Sequence, residues 1–179
     1  MTAAVKVWDP MVRIFHWGLA TSFVVAWVTG DEWDALHHWA GYAAAGLIAF
    51  RLIWGVIGSR YARFAQFIQS PTTTITYLKD IVTGHENRYL GHNPAGAAMI
   101  LALLAVMAGC ALTGWMYTTD TFWGVNWVEQ THKFLANALL ALVLAHLGGV
   151  LLASMRHHEN LVRAMITGRK RRPGHGDIS

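Results

Sequence analysis

Four stretches of this chain are apolar on every side, with neither the alternation of a half-buried strand nor the polar stripe of a surface helix. They cover residues 12–30, 36–57, 94–117 and 128–153. At about 1.5 Å rise per residue, each is long enough to cross a hydrocarbon core about 30 Å thick. Lipid cannot satisfy exposed backbone groups, so only helices and closed barrels span it, and long unbroken apolar runs select helices. The pattern predicts an all-α fold: an integral membrane four-helix bundle, forming one domain over residues 1–179.

The connections are uneven. Residues 31–35 are too few for anything but a tight link, so the first two spans are expected to be antiparallel neighbours. The connection over residues 58–93 is long and more structured. Ser70-Pro71 reads as a helix cap followed by a first-turn proline. Ile75, Leu78, Ile81 and Val82 then recur at helical spacing, and Gly84 can end the helix. This predicts an amphipathic helix over 71–83, lying at the interface or capping the bundle end. The tail from Gly168 onward is basic, then glycine-rich, and is expected to stay disordered near anionic lipid. Tyr117, Phe122, Trp123 and Trp127 fall between the third and fourth spans. They fit a headgroup belt, with partner docking as the alternative.

Charge gives the spans a direction. Of the 14 Lys and Arg residues, Lys133 alone falls on one side of a four-span topology, and the rest lie on or before the other. Asp31, Glu32, Asp34, Asp120 and Glu129 share the side of Lys133. The asymmetry predicts cytoplasmic N- and C-termini in a bacterial inner membrane. Composition agrees: 54% of residues are hydrophobic and 13% charged, against about 25% charged in a soluble domain. The net charge of +4 is thereby accounted for by topology, and nucleic-acid binding, which needs a lipid-free basic surface, is disfavoured. No small-residue cleavage site follows Trp27-Val28-Thr29-Gly30, so the first span reads as a retained helix. Cys110, the single cysteine, cannot form an intrachain disulfide, and the chain has no C-x-x-C-H motif for thioether haem attachment.

The histidines carry the chemistry. His132 and His146 lie 14 residues apart in the fourth span, about 21 Å along a helix and within about 40° of one face. His16 opens the first span and His37 the second. Following each helix across the membrane pairs His16 with His146 near the cytoplasmic side, and His37 with His132 near the outer side. A lone intramembrane histidine is often a hydrogen-bonded packing residue, but four at two matched depths suggest two bis-histidine haem sites. Gly18, Gly41, Gly148 and Gly149 lie near these positions and suit either a porphyrin face or close helix packing. Successive helical residues point about 100° apart, so only one of His37 and His38 can face inward. His85, His92, His157, His158 and His175 fall in polar segments and are expected to be solvated. Arg51 interrupts the second span near its end, where it can snorkel to the interface.

With these residues in view, the chain resembles the bacterial cytochrome b561 family, which includes the cytochrome b subunits of nickel–iron hydrogenases. The resemblance is carried by Val7-Trp8-Asp9-Pro10 with Arg13, Phe15, His16 and Trp17. It continues through His37-His38-Trp39-Ala40-Gly41-Tyr42, Arg51-Leu52-Ile53-Trp54-Gly55 and Asn93-Pro94-Ala95-Gly96. His132, His146-Leu147-Gly148-Gly149 and Glu159-Asn160-Leu161-Val162 complete it. The family's His-x-x-x-Gly pattern fits His37 with Gly41 and favours His37 over His38. The resemblance implies two b-type haems, ligated by His16 with His146 and by His37 with His132. It also implies electron exchange between the quinone pool and a periplasmic redox protein, such as a hydrogenase or a c-type cytochrome.

Two axial histidines fill the coordination of an iron, which favours electron transfer over gas binding. Arg51 and Arg13 are candidates to pair with the propionates of the inner haem, and Lys133 with those of the outer one. Asn93 is a candidate donor to a quinone carbonyl, or a cap for the third span. Superoxide oxidation with quinone as acceptor is an alternative within the same fold. A non-redox metal-binding or transport bundle is the alternative outside it.

Overall fold

The computed structural model describes residues 4–30 and 32–178, so Asp31 lies outside the described residues. The order is β1 (Ala4–Lys6), α1 (Pro10–Thr29), α2 (Asp34–Ile57), α3 (Phe64–Phe67), α4 (Pro71–Thr83), α5 (Pro94–Tyr117), α6 (Asn126–Arg156), α7 (Leu161–Thr167) and β2 (Arg169–Arg171). Among the described residues four helices, α1, α2, α5 and α6, are long and apolar enough to cross a membrane. Their surfaces carry the apolar side chains that lipid tolerates and water does not: Val28, Val56, Ile57, Leu151 and Met155 are all exposed.

Short polar residues set the helix starts. Asp9 accepts the Val12 N–H at 2.9 Å just before Pro10, Ser70 accepts the Thr73 N–H before Pro71, and Asn160 accepts the Arg163 N–H. Each satisfies an amide that the first helical turn leaves without a partner. Gly84 and Gly168 end α4 and α7 at φ 75° and 76°, the left-handed conformation that glycine adopts without steric cost.

The chain divides into two compact units. The first comprises Met1–Arg13, Ile53–Leu101 and Ala145–Ser179. Its core is Val7, Trp8, Val12, Ala62 and Leu90, with Val5, Trp54, Tyr61 and Met165 packed against it. Here β1 pairs antiparallel with β2, Val5 opposite Lys170. The Val7 and Trp8 amides both donate to the Gly168 carbonyl, at 2.9 and 3.1 Å. This ribbon corrects the expectation of a disordered tail, and so does the chain beyond β2. Ile178 donates to the Arg88 carbonyl and accepts from the Leu90 amide, each at 2.8 Å. The reason is ionic. Buried Arg88 reaches Glu159 at 2.9 Å and Asp177 at 2.5 Å, and Lys170 donates to the Tyr89 carbonyl at 3.1 Å. These charges are spent on each other and hold the tail in place.

His92 is a second correction. It is half-buried rather than solvated, with its ring centroid 4.6 Å from both the Trp8 and Phe67 rings. His85, His158 and His175 are exposed, and His157 is half-buried.

The second unit comprises Ile14–Leu52 and Ala102–Leu144, which are segments of α1, α2, α5 and α6. They pack as a four-helix bundle. A side chain at Gly18 would crowd Leu47 at 3.2 Å, and one at Gly109 would crowd Leu135 at 3.2 Å. Glycine at these contacts lets helices approach closely.

Candidate site at the paired histidines

His37 sits in the first turn of α2 and His132 in the second turn of α6. The bundle brings them together, with ring centroids 6.0 Å apart and planes at 78°. Each ring is anchored by one nitrogen. His37 Nδ1 meets the Ala26 carbonyl of α1 at 2.8 Å, and His132 Nδ1 meets the Cys110 carbonyl of α5 at 2.9 Å. A carbonyl only accepts, so both Nδ1 atoms carry the proton and both Nε2 atoms are left as acceptors. Thr113 Oγ1 lies 3.3 Å from His132 Nδ1 and donates to the Gly109 and Cys110 carbonyls. The anchoring carbonyls of Ala26 and Cys110 are invisible to a search for side-chain chemistry, which looks for functional groups and not for main chain.

This arrangement meets the demands of a metal centre. A ligating histidine characteristically donates its other N–H to a carbonyl, which fixes tautomer and ring orientation. A metal-bound imidazole nitrogen lies about 2 Å from its metal, so two imidazoles on one ion have ring centres roughly 6 Å apart. The observed centroid separation is of that size.

The remaining candidates occupy varied surroundings. His38 is exposed, its ring 6.1 Å from that of His37. His16 is half-buried in the second unit, edge-on to Trp17 at 5.1 Å. His146 is half-buried in the first unit. Arg51 does not snorkel outward: it is 3% exposed, and its guanidinium lies 5.9 Å from the centroid of the Phe15 ring. That is within cation–π range of the ring. Arg13 donates to the Ile166 carbonyl. Lys133 pairs with Glu129 one turn earlier on α6, at 2.6 Å. Asn93 caps α5, its Oδ1 accepting the Gly96 N–H at 2.7 Å, and its side chain also hydrogen-bonds Tyr77. Side chains built at Gly41, Gly148 or Gly149 would meet nothing within 4 Å.

The profile described as prokaryotic cytochrome b561 matches residues 7–168. The chain belongs to the prokaryotic cytochrome b561 family. Membership makes it a multi-pass membrane cytochrome of the b type, an electron carrier whose prosthetic group is haem b. Two relatives of this cytochrome are probable Ni/Fe-hydrogenase B-type cytochrome subunits. The one from Rhodobacter capsulatus is 23% identical over 215 aligned positions, covering 93% of this chain and 81% of the relative. The one from Bradyrhizobium diazoefficiens is also 23% identical over 215, covering 93% of this chain and 85% of the relative. No solved structure matches this cytochrome.

Proposed function

We propose that this b561-type cytochrome is one transmembrane domain that moves electrons across the bacterial inner membrane through two b haems. In this reading both termini are cytoplasmic, as the distribution of Lys and Arg requires. His37 and His132 hold the outer haem, and His16 and His146 the inner one. The observation that carries the proposal is the pair His37–His132, with each Nδ1–H committed to a carbonyl and each Nε2 left to ligate.

A tetrapyrrole supplies four of its own nitrogens to iron and asks the protein for two axial ligands. A bare metal ion in a protein site takes about four ligands, and among the described residues no group of three or more His, Cys, Asp or Glu converges. Two histidines without company therefore favour haem over the non-redox metal reading. When bound, such a haem supplies a reversible one-electron couple.

The chain's own residues do the rest. The imidazoles would hold the iron, and the anchoring carbonyls of Ala26 and Cys110 would raise their basicity. We assign Arg51, buried beside Phe15, to the propionates of the inner haem. We assign quinone exchange to the cytoplasmic side, with the Asn93 amide as the candidate donor to a quinone carbonyl. The periplasmic partner is a redox protein. The named relatives favour a Ni/Fe hydrogenase over a c-type cytochrome.

The test is a pyridine haemochrome assay on purified protein. Two haems b per chain are expected in the wild type, and one each in His132→Ala and His146→Ala. Unchanged haem content in either variant would overturn the corresponding pair.

A further inference from the structure

The two anchoring carbonyls sit in the same local sequence. Ala26 is followed at the third and fourth positions by Thr29-Gly30, and Cys110 likewise by Thr113-Gly114. The geometry repeats as well. Thr29 and Thr113 are both buried, at 4% and 7% exposure. Thr29 Oγ1 donates to the Val25 carbonyl at 2.7 Å and Thr113 Oγ1 to the Gly109 carbonyl at 2.9 Å. In each case the hydroxyl turns back onto its own helix, one residue before the carbonyl that the imidazole uses. The glycine that follows puts no side chain against the ring. A Cβ on Gly114 would lie 3.0 Å from His132 Cε1 and 3.3 Å from Nδ1, inside the optimum for carbon contacts of about 3.5–4.0 Å. A Cβ on Gly30 would lie 3.6 Å from His37 Nδ1, an ordinary contact.

From this repeat we infer that Thr29-Gly30 on α1 and Thr113-Gly114 on α5 are paired positioning notches that set the ring planes of His37 and His132. The inference rests on the proposal that these histidines ligate a haem, and goes beyond it. It assigns residues that touch neither iron nor electrons the task of fixing how the ligands face. Thr113 has a further effect. Its hydroxyl also donates to the Cys110 carbonyl, at 3.0 Å, and so competes with the imidazole N–H for that oxygen. Removing the hydroxyl gives the N–H a stronger acceptor, makes the ligand more basic and favours ferric iron.

The experiment compares the purified holoprotein with Gly114→Ala, Gly30→Ala and Thr113→Val, using Gly46→Ala as control because a side chain there meets nothing within 4 Å. Readouts are haem content, the ferric low-spin electron paramagnetic resonance signal (which reports the angle between axial imidazole planes) and the midpoint potential of each haem. Gly114→Ala is expected to keep both haems and shift the signal of one, with Gly30→Ala shifting it less and the control not at all. Thr113→Val is expected to lower the midpoint potential of that same haem. Unchanged signal and potential in Gly114→Ala and Thr113→Val overturn the inference. Should Gly114→Ala not assemble, Thr113→Val decides it alone. Failure of the underlying ligand assignment is separately visible, because His132→Ala would then retain every haem of the wild type.

Discussion

Arg88 and Glu159, 71 residues apart in sequence, form a buried two-pronged ion pair. Arg88 Nη2 lies 2.9 Å from one carboxylate oxygen and Nε 3.2 Å from the other. Arg88 Nη1 also reaches Asp177, so one guanidinium ties the connection before α5 to two places beyond α6. Removing one partner of a buried pair leaves an uncompensated charge. Arg88→Met is expected to destabilise the first unit by about 3–5 kcal/mol, read as a lowered thermal unfolding midpoint. A wild-type midpoint in that variant would show that the pair contributes nothing net.

The same cluster sets an acid limit. Burial alone would raise the Glu159 carboxyl, but hydrogen bonds from Arg88 and the charge of Lys170 outweigh it and hold Glu159 below its ordinary value. For Asp177, burial is likewise outweighed by the Gly174 amide and Arg88. Because both folded values are depressed, their stabilisation is fully present above the unfolded carboxyl values of about 4. It is lost as pH falls through the folded values. Hydrogen exchange at the Arg171 and Ile178 amides is expected to be pH-independent in protection above about pH 5 and to lose protection well below pH 4.

Gly168→Ala would test the ribbon. A side chain there would lie 2.6 Å from the Trp8 carbonyl, on a residue at φ 76°. The left-handed conformation alone costs about 1–2 kcal/mol for a residue with a Cβ, and the clash adds to it. Protection of the Val7 and Trp8 amides should fall.

The choice between His37 and His38 is open to direct test. His37 faces His132 and His38 is exposed. His37→Ala is expected to lose one of two haems, and His38→Ala none. The reverse result would move the ligand by one residue.

Asn93 separates two roles within one side chain. Asn93→Asp keeps the oxygen that accepts the Gly96 N–H and deletes the amide donor. The start of α5 should survive, with stability lowered only by the lost Tyr77 contact, while quinone reduction falls about tenfold, the worth of one hydrogen bond. Unaltered turnover would confine Asn93 to capping.

The four long helices are legible in the sequence because lipid imposes an apolar requirement on every side of a spanning helix, and such runs resemble nothing else. Helix starts at Pro71 and Pro94 are legible for a local reason: Ser70 and Asn93 act within three residues of themselves. The nearness of His37 to His132 follows from the direction in which each span crosses the membrane, with the family pattern choosing His37 over His38. The tail misleads because its order depends on Arg88 and Glu159, remote in sequence, and a run such as Arg169-Lys170-Arg171-Arg172 looks solvated until its partners are known. His92 misleads for the same reason, its surroundings being Trp8 and Phe67 from distant segments. Arg51 is expected at the interface because a lone cation in a span is costly, but its sequence neighbours do not reveal the Phe15 ring from α1.

The pairing of β1 with β2 imposes an order on biosynthesis. Ala4–Lys6 is translated before every helix, yet the strand that completes it is translated only after α6 and α7. Until then β1 has an unclaimed edge, and Asp177, the second carboxylate on Arg88, is also still to come. The ribbon is thus a late latch, closed only once every spanning helix has been synthesised.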